Sequence, residues 1–237
     1  MNFAGGKNKK YLVFMIIAIF IVFLLNRNHV PENIDDPPNR DVLLVDGLTD
    51  IDDEFKNIVE RMCLENGYNL IIVEDVTVQF FKELEGDYSL IILRLHSTHQ
   101  SYSTWIFTNE AYKPNKYILE QLAGEVHSAR TSYGSETYFV ISNYYIEHYL
   151  SNSITADSVI LMGCNGLEKE DMANAWIKAG SKTYLGWNGD IGLSEIDYYT
   201  QNILEIYFHE GRVSDIVQKL PSSDFKTIES SLLIYSD

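Results

Sequence analysis

The sequence predicts an α/β domain in which a mostly parallel sheet lies between helical layers, a three-layer sandwich, preceded by one N-terminal transmembrane helix. Three observations predict it. Largely apolar runs of four to seven residues recur along the chain, as strands covered on both faces require. Between them lie stretches whose apolar residues repeat at helical spacing. Ahead of both, Tyr11–Leu25 is an uncharged run of 15 residues.

The N-terminal run follows Lys7, Lys9 and Lys10 and precedes Arg27. A spanning helix takes about 20 residues, within a range near 17–25, so the run needs its flanks, Ala4–Gly6 and Asn26, to cross a bilayer. A cleavable signal peptide has the same basic and apolar regions. No small-x-small cleavage pattern follows Leu25, which favours a retained signal anchor over residues 11–26. The lysine excess then places residues 1–10 in the cytoplasm and the C-terminal domain outside it, in a single-pass protein. Residues 27–40 hold three of the five prolines and no apolar periodicity, and read as an extended tether. The globular domain occupies 41–237.

Charge narrows the partners. The chain carries a net −16, and residues 1–40 contribute five cations against three anions, so the domain carries −18. A surface that acidic repels phosphate backbones, and no nucleic-acid partner is expected. Two cysteines, Cys63 and Cys164, do not make a disulfide framework in a domain with a core of this size. Cys63 lies in the helical run Phe55–Asn66 and reads as an apolar-face thiol.

The elements follow in order. Val42–Val45 is a first strand. Asp50–Asn66 is a helix, with Thr49 and Asp52 as a capping box, Ile51, Phe55, Ile58, Val59 and Met62 on one face, and Gly67 as its stop. Leu70–Val73 is a second strand, Val76–Leu84 a short helix, and Ser89–Leu95 a third strand that runs directly into His96. Trp105–Thr108 is a further short strand or hairpin arm. Asn115–Ala123 is helical, Tyr138–Ile141 a strand and Tyr144–Leu150 a helix. Ser158–Met162 is a buried strand that delivers Gly163 and Cys164. Lys169–Ala179 is a helix closed by Gly180, Thr183–Gly186 a strand, and Glu195–Phe208 and Val213–Leu220 the closing helices. Strand and helix alternating in this rhythm give a parallel sheet whose strand C-termini share one edge, where open α/β sheets place their ligands.

His96 and Cys164 both follow strands onto that edge. If the two strands are neighbours, about 5 Å apart, an imidazole can take the proton of the thiol and make it a nucleophile. Gly163 permits a close backbone approach, and amides of the turn Cys164–Asn165–Gly166 can point at a developing oxyanion. The simpler reading of Cys164 is a small core residue. His99 completes a His-x-x-His pair with His96, but no third ligand accompanies them, and no metal is expected. Asp46, Asp50, Asp52 and Asp53 read as a turn residue and helix-end charges. Glu110 is a third group available to orient His96. The single glycine in Asp46–Gly47–Leu48–Thr49–Asp50 is no phosphate cradle, so no nucleotide and no other cofactor is expected.

The blocks Ser89-Leu-Ile-Ile-Leu-Arg-Leu-His96 and Ser158-Val-Ile-Leu-Met-Gly-Cys164-Asn-Gly166 resemble the caspase–gingipain–legumain group of cysteine peptidases (clan CD), to which CHAT domains belong. Met172–Trp187 is similar to the helix and strand that follow the nucleophile there, and the resemblance spans roughly Asp41–Phe208. It implies a caspase-like fold, His96 as base, Cys164 as nucleophile and a peptide or protein substrate. It also implies that the strand ending at Trp187 borders the specificity pocket, next to Asp190, which either selects a basic side chain or caps a turn with Gly189. Two features depart from the group: Ser97 stands where it has glycine, and 68 residues separate His96 from Cys164 where caspases have about 50. The chain is therefore expected to be a tethered extracytoplasmic cysteine peptidase, or an inactive domain of the same fold serving as a tethered binding or assembly module.

Overall fold

The structure, a computed structural model, describes residues 40–48, 53–131, 134–210 and 230–236. The expected anchor, the tether up to residue 39, the Thr49–Asp52 capping box and the helix Val213–Leu220 lie outside these. Among the described residues, no helix is long and apolar enough to cross a membrane.

A six-stranded sheet forms the centre. Its strands are β1 (Asp41–Asp46), β2 (Asn69–Val73), β3 (Gly86–Arg94), β8 (Ile154–Leu161), β9 (Ser181–Trp187) and β10 (Leu232–Ser236). They lie in the order β10-β9-β8-β3-β1-β2. Only β10 runs against its neighbour, and the other adjacent pairs are parallel. The helices between them are α1 (Glu54–Glu65), α2 (Val78–Lys82), α3 (Ile118–Leu122), α4 (Asn143–Leu150), α5 (Asp171–Ala179) and α6 (Leu193–Glu210).

Alternation along β1 shows why its apolar run is unbroken. Val42 and Leu44 join Phe55 and Val59 of α1 and Ile203 and Tyr207 of α6 in one core. Leu43 and Val45 face the other way, into a core with Phe81, Tyr145, Met172 and Trp176. A strand covered on both faces has no polar position to spare.

The expectation of one sheet between helices is corrected by a second, four-stranded antiparallel sheet. It comprises β4 (Ser97–Gln100), β5 (Ser103–Ala111), β6 (Val126–Ala129) and β7 (Tyr138–Ser142), in the order β4-β5-β7-β6. Its Ile106, Phe139 and Ile141 pack into the core beside α4 and α5. The hairpin-arm reading of Trp105–Thr108 holds, with Thr98 opposite Trp105 in the β4–β5 ladder. The strand at Tyr138, by contrast, belongs to this sheet and not to the parallel one.

Gly180 ends α5 as expected. Its φ of +123° is open to glycine, and a Cβ there would lie 1.9 Å from the Ile154 carbonyl oxygen. The chain can therefore turn tightly from α5 into β9, which carries the edge described next.

Candidate functional site

The parallel strands end together, and the residues after them build one edge. β3 and β8 are immediate neighbours, with Leu93 opposite Leu161. His96 and Cys164 each lie three residues beyond that pair, so both leave the sheet at the same level, one strand apart. The pairing runs one step further, the Met162 N–H donating to the Leu93 carbonyl at 2.8 Å. His96 is then held by the second sheet: its carbonyl accepts from the Phe107 N–H at 2.9 Å, and its exposed ring meets Phe107 edge-on, with centroids 6.1 Å apart.

Ser97, which stands where the resembled peptidases carry glycine, has a definite place. Its hydroxyl donates to the Cys164 carbonyl at 2.7 Å and ties the two loops together. Gly163 makes the room: a Cβ there would lie 2.1 Å from Ser97 Oγ and 2.7 Å from the Leu95 carbonyl oxygen. The missing side chain between Met162 and Cys164 is thus a condition for the two strand ends to approach.

The Cys164 thiol is half-buried and free of any disulfide. Its Sγ lies 3.5 Å from both the carbonyl oxygen and the amide nitrogen of Ile191, donating to the first and accepting from the second. Burial raises its pKa above the ordinary thiol value; the Ile191 N–H opposes that rise and the charge of Asp190 adds to it. Near neutral pH the sulfur is a thiol. Desolvation lowers the pKa of His96, so its imidazole is neutral there and able to accept a proton. No hydrogen bond joins the ring to Cys164 Sγ in this structure, and no carboxylate bonds the ring among the described residues.

The turn after Cys164 is fixed from the next strand. Asn165 has a left-handed φ of +57°. Its amide donates to the Gly189 carbonyl at 3.0 Å, and its side chain to Asp190 Oδ1 at 2.7 Å. The Leu167 amide donates to the Trp187 carbonyl, and the Gly166 carbonyl accepts from Tyr184 Oη. The Asn165 amide is therefore occupied, whereas that of Gly166 meets no backbone carbonyl among the described residues. Of the two residues expected at a specificity pocket, Asp190 is exposed. Trp187 is buried in the core against Tyr199 and lines no open wall.

Glu110 does not orient His96. Its carboxylate accepts from the Val78 N–H at 3.1 Å and the Tyr117 hydroxyl at 2.9 Å, and pairs with Lys116. His99 also turns elsewhere, its Nδ1 lying 3.1 Å from Thr104 Oγ1. Thr104 in turn donates twice to Asp171, from its amide and its hydroxyl. The described residues hold no group of three or more His, Cys, Asp or Glu placed to bind a metal ion.

One feature of the edge went unread in the sequence. Arg94, fully buried two residues before His96, donates from Nη1 to Asp46, and from Nε and Nη2 to the two oxygens of Asp197 at 3.0 Å. Its guanidinium also stacks over Phe55. Asp46 is a turn residue in that its Oδ1 accepts from the Leu48 N–H, but its larger role is this ion pair. The cluster joins β1, β3 and the N-terminal half of α6, which follows the Ile191 segment. Beside it, Glu54, Phe55, Ile58, Leu193, Asp197 and Tyr198 line most of a cleft of about 520 Å³. No family model and no curated protein matches the chain.

Proposed function

We propose that the chain is a membrane-tethered, extracytoplasmic cysteine peptidase of caspase-like fold, with Cys164 as nucleophile and His96 as general base. The observation that carries this reading is the β3–β8 register, which sends both residues off adjacent strands from one paired level. The glycine at 163 and the Ser97–Cys164 link support it, because both serve to bring the two loops together.

In this reading the resting pair is neutral. Neutral His96 takes the thiol proton as Cys164 Sγ attacks the scissile carbonyl carbon. The Gly166 amide donates to the oxyanion that forms. His96 then gives its proton to the leaving amine, and water releases the acyl group from sulfur. Sγ must first part from Ile191, so a substrate has to displace that contact. Exposed Asp190 suits a basic side chain in the substrate.

The reading is tested with a thiol-directed peptide probe on the full chain. Wild type is expected to be labelled at Cys164 and Cys164→Ala to be unlabelled. Equal labelling of the two sinks the proposal. A second reading, the inactive tethered binding or assembly module, draws on the capture of Sγ by Ile191 and the raised thiol pKa. It predicts no labelling of either protein while both remain folded.

A further inference from the structure

We propose that α3 is a second membrane contact, seating Ile118, Leu119 and Leu122 in the interfacial layer of a lipid bilayer. The helix is built inside out. Its one charged residue, Glu120, is 9% exposed, whereas Ile118 is 53%, Leu119 78% and Leu122 81% exposed. Positions 118, 119 and 122 share one face of a helix. Three aliphatic side chains together in water on a five-residue helix are costly, and such patches mark contact surfaces.

The helix cannot roll over to hide them, because Glu120 is fixed inward. Its Oε1 accepts from Lys82 Nζ at 3.1 Å and from the Tyr149 hydroxyl at 3.2 Å. Those two partners also place α3 in the fold. Lys82 closes α2 just before β3 begins, and Tyr149 lies in the last turn of α4 just before β8 begins. α3 therefore sits at the edge where the parallel strands start. The chain enters β1 from Arg40 at that same edge, and His96 and Cys164 occupy the opposite one.

The occupant follows from what precedes Arg40. The apolar run Tyr11–Leu25 is joined to it through residues 27–40, which reach roughly 50 Å at full extension. With the run in a bilayer, the tether meets the domain at that edge. The charge at the patch also suits headgroups. Lys113 and Lys116 precede the helix and both are exposed, Lys116 being paired with Glu110. Apolar residues flanked by lysines are the composition of interfacial segments. The inference rests on the anchor reading of Tyr11–Leu25, and it would hold the active edge away from the membrane, open to substrate.

The test uses the full chain in a Cys164→Ala background, with a fluorophore on Leu119→Cys, on Leu122→Cys or, at the opposite edge, on Glu168→Cys. Each protein is reconstituted in phosphatidylcholine–phosphatidylglycerol vesicles whose acyl chains carry bromine. Because an interfacial helix sits about 5–10 Å into the headgroup–acyl boundary, the labels at 119 and 122 are expected to be quenched roughly threefold or more beyond that at 168. Equal quenching at the two edges overturns the proposal. So does energy transfer between labels at 119 on two dilute copies without lipid quenching, which would identify a second copy as the cover. Release of the chain from vesicles by alkaline carbonate overturns the anchor reading and the docking with it. Retention without quenching overturns the docking alone.

Discussion

Arg94→Met is expected to lower the stability of the domain by about 3–5 kcal/mol, the usual cost of removing one partner from a buried ion pair. Arg94 is 0% exposed, Asp46 1% and Asp197 14%. Methionine fills most of the volume but leaves two carboxylates facing each other with little water to share the charge. Against a typical margin of 5–15 kcal/mol, that is a large share of the domain's total stability. Urea titration of the full chain in detergent measures the loss. Adding Asp46→Asn and Asp197→Asn to Arg94→Met is expected to recover a large part of it, since the penalty lies in the orphaned charges. A loss below about 1 kcal/mol would mean that solvent reaches the cluster and that the pairs behave like surface ones. The cluster also concerns the site: Arg94 precedes His96 by two residues, and Asp197 pins the N-terminal half of the helix that follows Ile191.

The second large effect follows from the proposed peptidase mechanism. With a peptide substrate, His96→Ala is expected to lower kcat/KM by about 10²–10⁴, the range for loss of a positioned general base. The pH profile carries more information than the size of the loss. Partial desolvation lowers the pKa of His96 from its ordinary 6.5, so wild-type activity is expected to fall only as pH drops below 6.5, where the ring becomes protonated and can no longer accept the thiol proton. His96→Ala removes that acid limb. The thiol pKa lies above its ordinary 9.0, so the residual activity of His96→Ala is expected to climb with pH through the alkaline range as Cys164 ionises unaided. A preformed thiolate–imidazolium pair would instead keep wild type reactive well into acid, contrary to the neutral pair derived from these shifts.

Much of the parallel sheet was legible because fully buried strands are written in largely apolar runs. Val42–Val45, Ser89–Leu95 and Ser158–Met162 all fall inside observed strands or extend at most a residue beyond them. The shared edge of His96 and Cys164 followed from two such runs ending in reactive side chains. The antiparallel sheet was largely hidden. β4 reads Ser-Thr-His-Gln and β6 Val-His-Ser-Ala, short polar strands set by their partners in the ladder, and no local pattern marks them. Arg94 was hidden for a related reason. Nothing inside the run Ser89–Leu95 marks its role, because its partners lie 48 and 103 residues away and only the fold brings them together. The place of Trp187 at a strand end was legible, while its burial against Tyr199 of α6 was not, because only the fold brings that helix over it. Helix α3 was legible as an element within Asn115–Ala123, but its outward apolar face was not, because the inward anchoring of Glu120 by Lys82 and Tyr149 sets it.

The central claim is that His96 acts on Cys164, and it is tested most directly by a small alkylating reagent that needs no substrate recognition. The rate of iodoacetamide addition to Cys164 at pH 7 is followed by intact and peptide-level mass spectrometry in wild type and His96→Ala, with buried Cys63 as the internal reference. A neutral imidazole that draws off the thiol proton predicts a drop of about tenfold or more on removing His96, with Cys63 unchanged. Equal rates at Cys164 in the two proteins would contradict it.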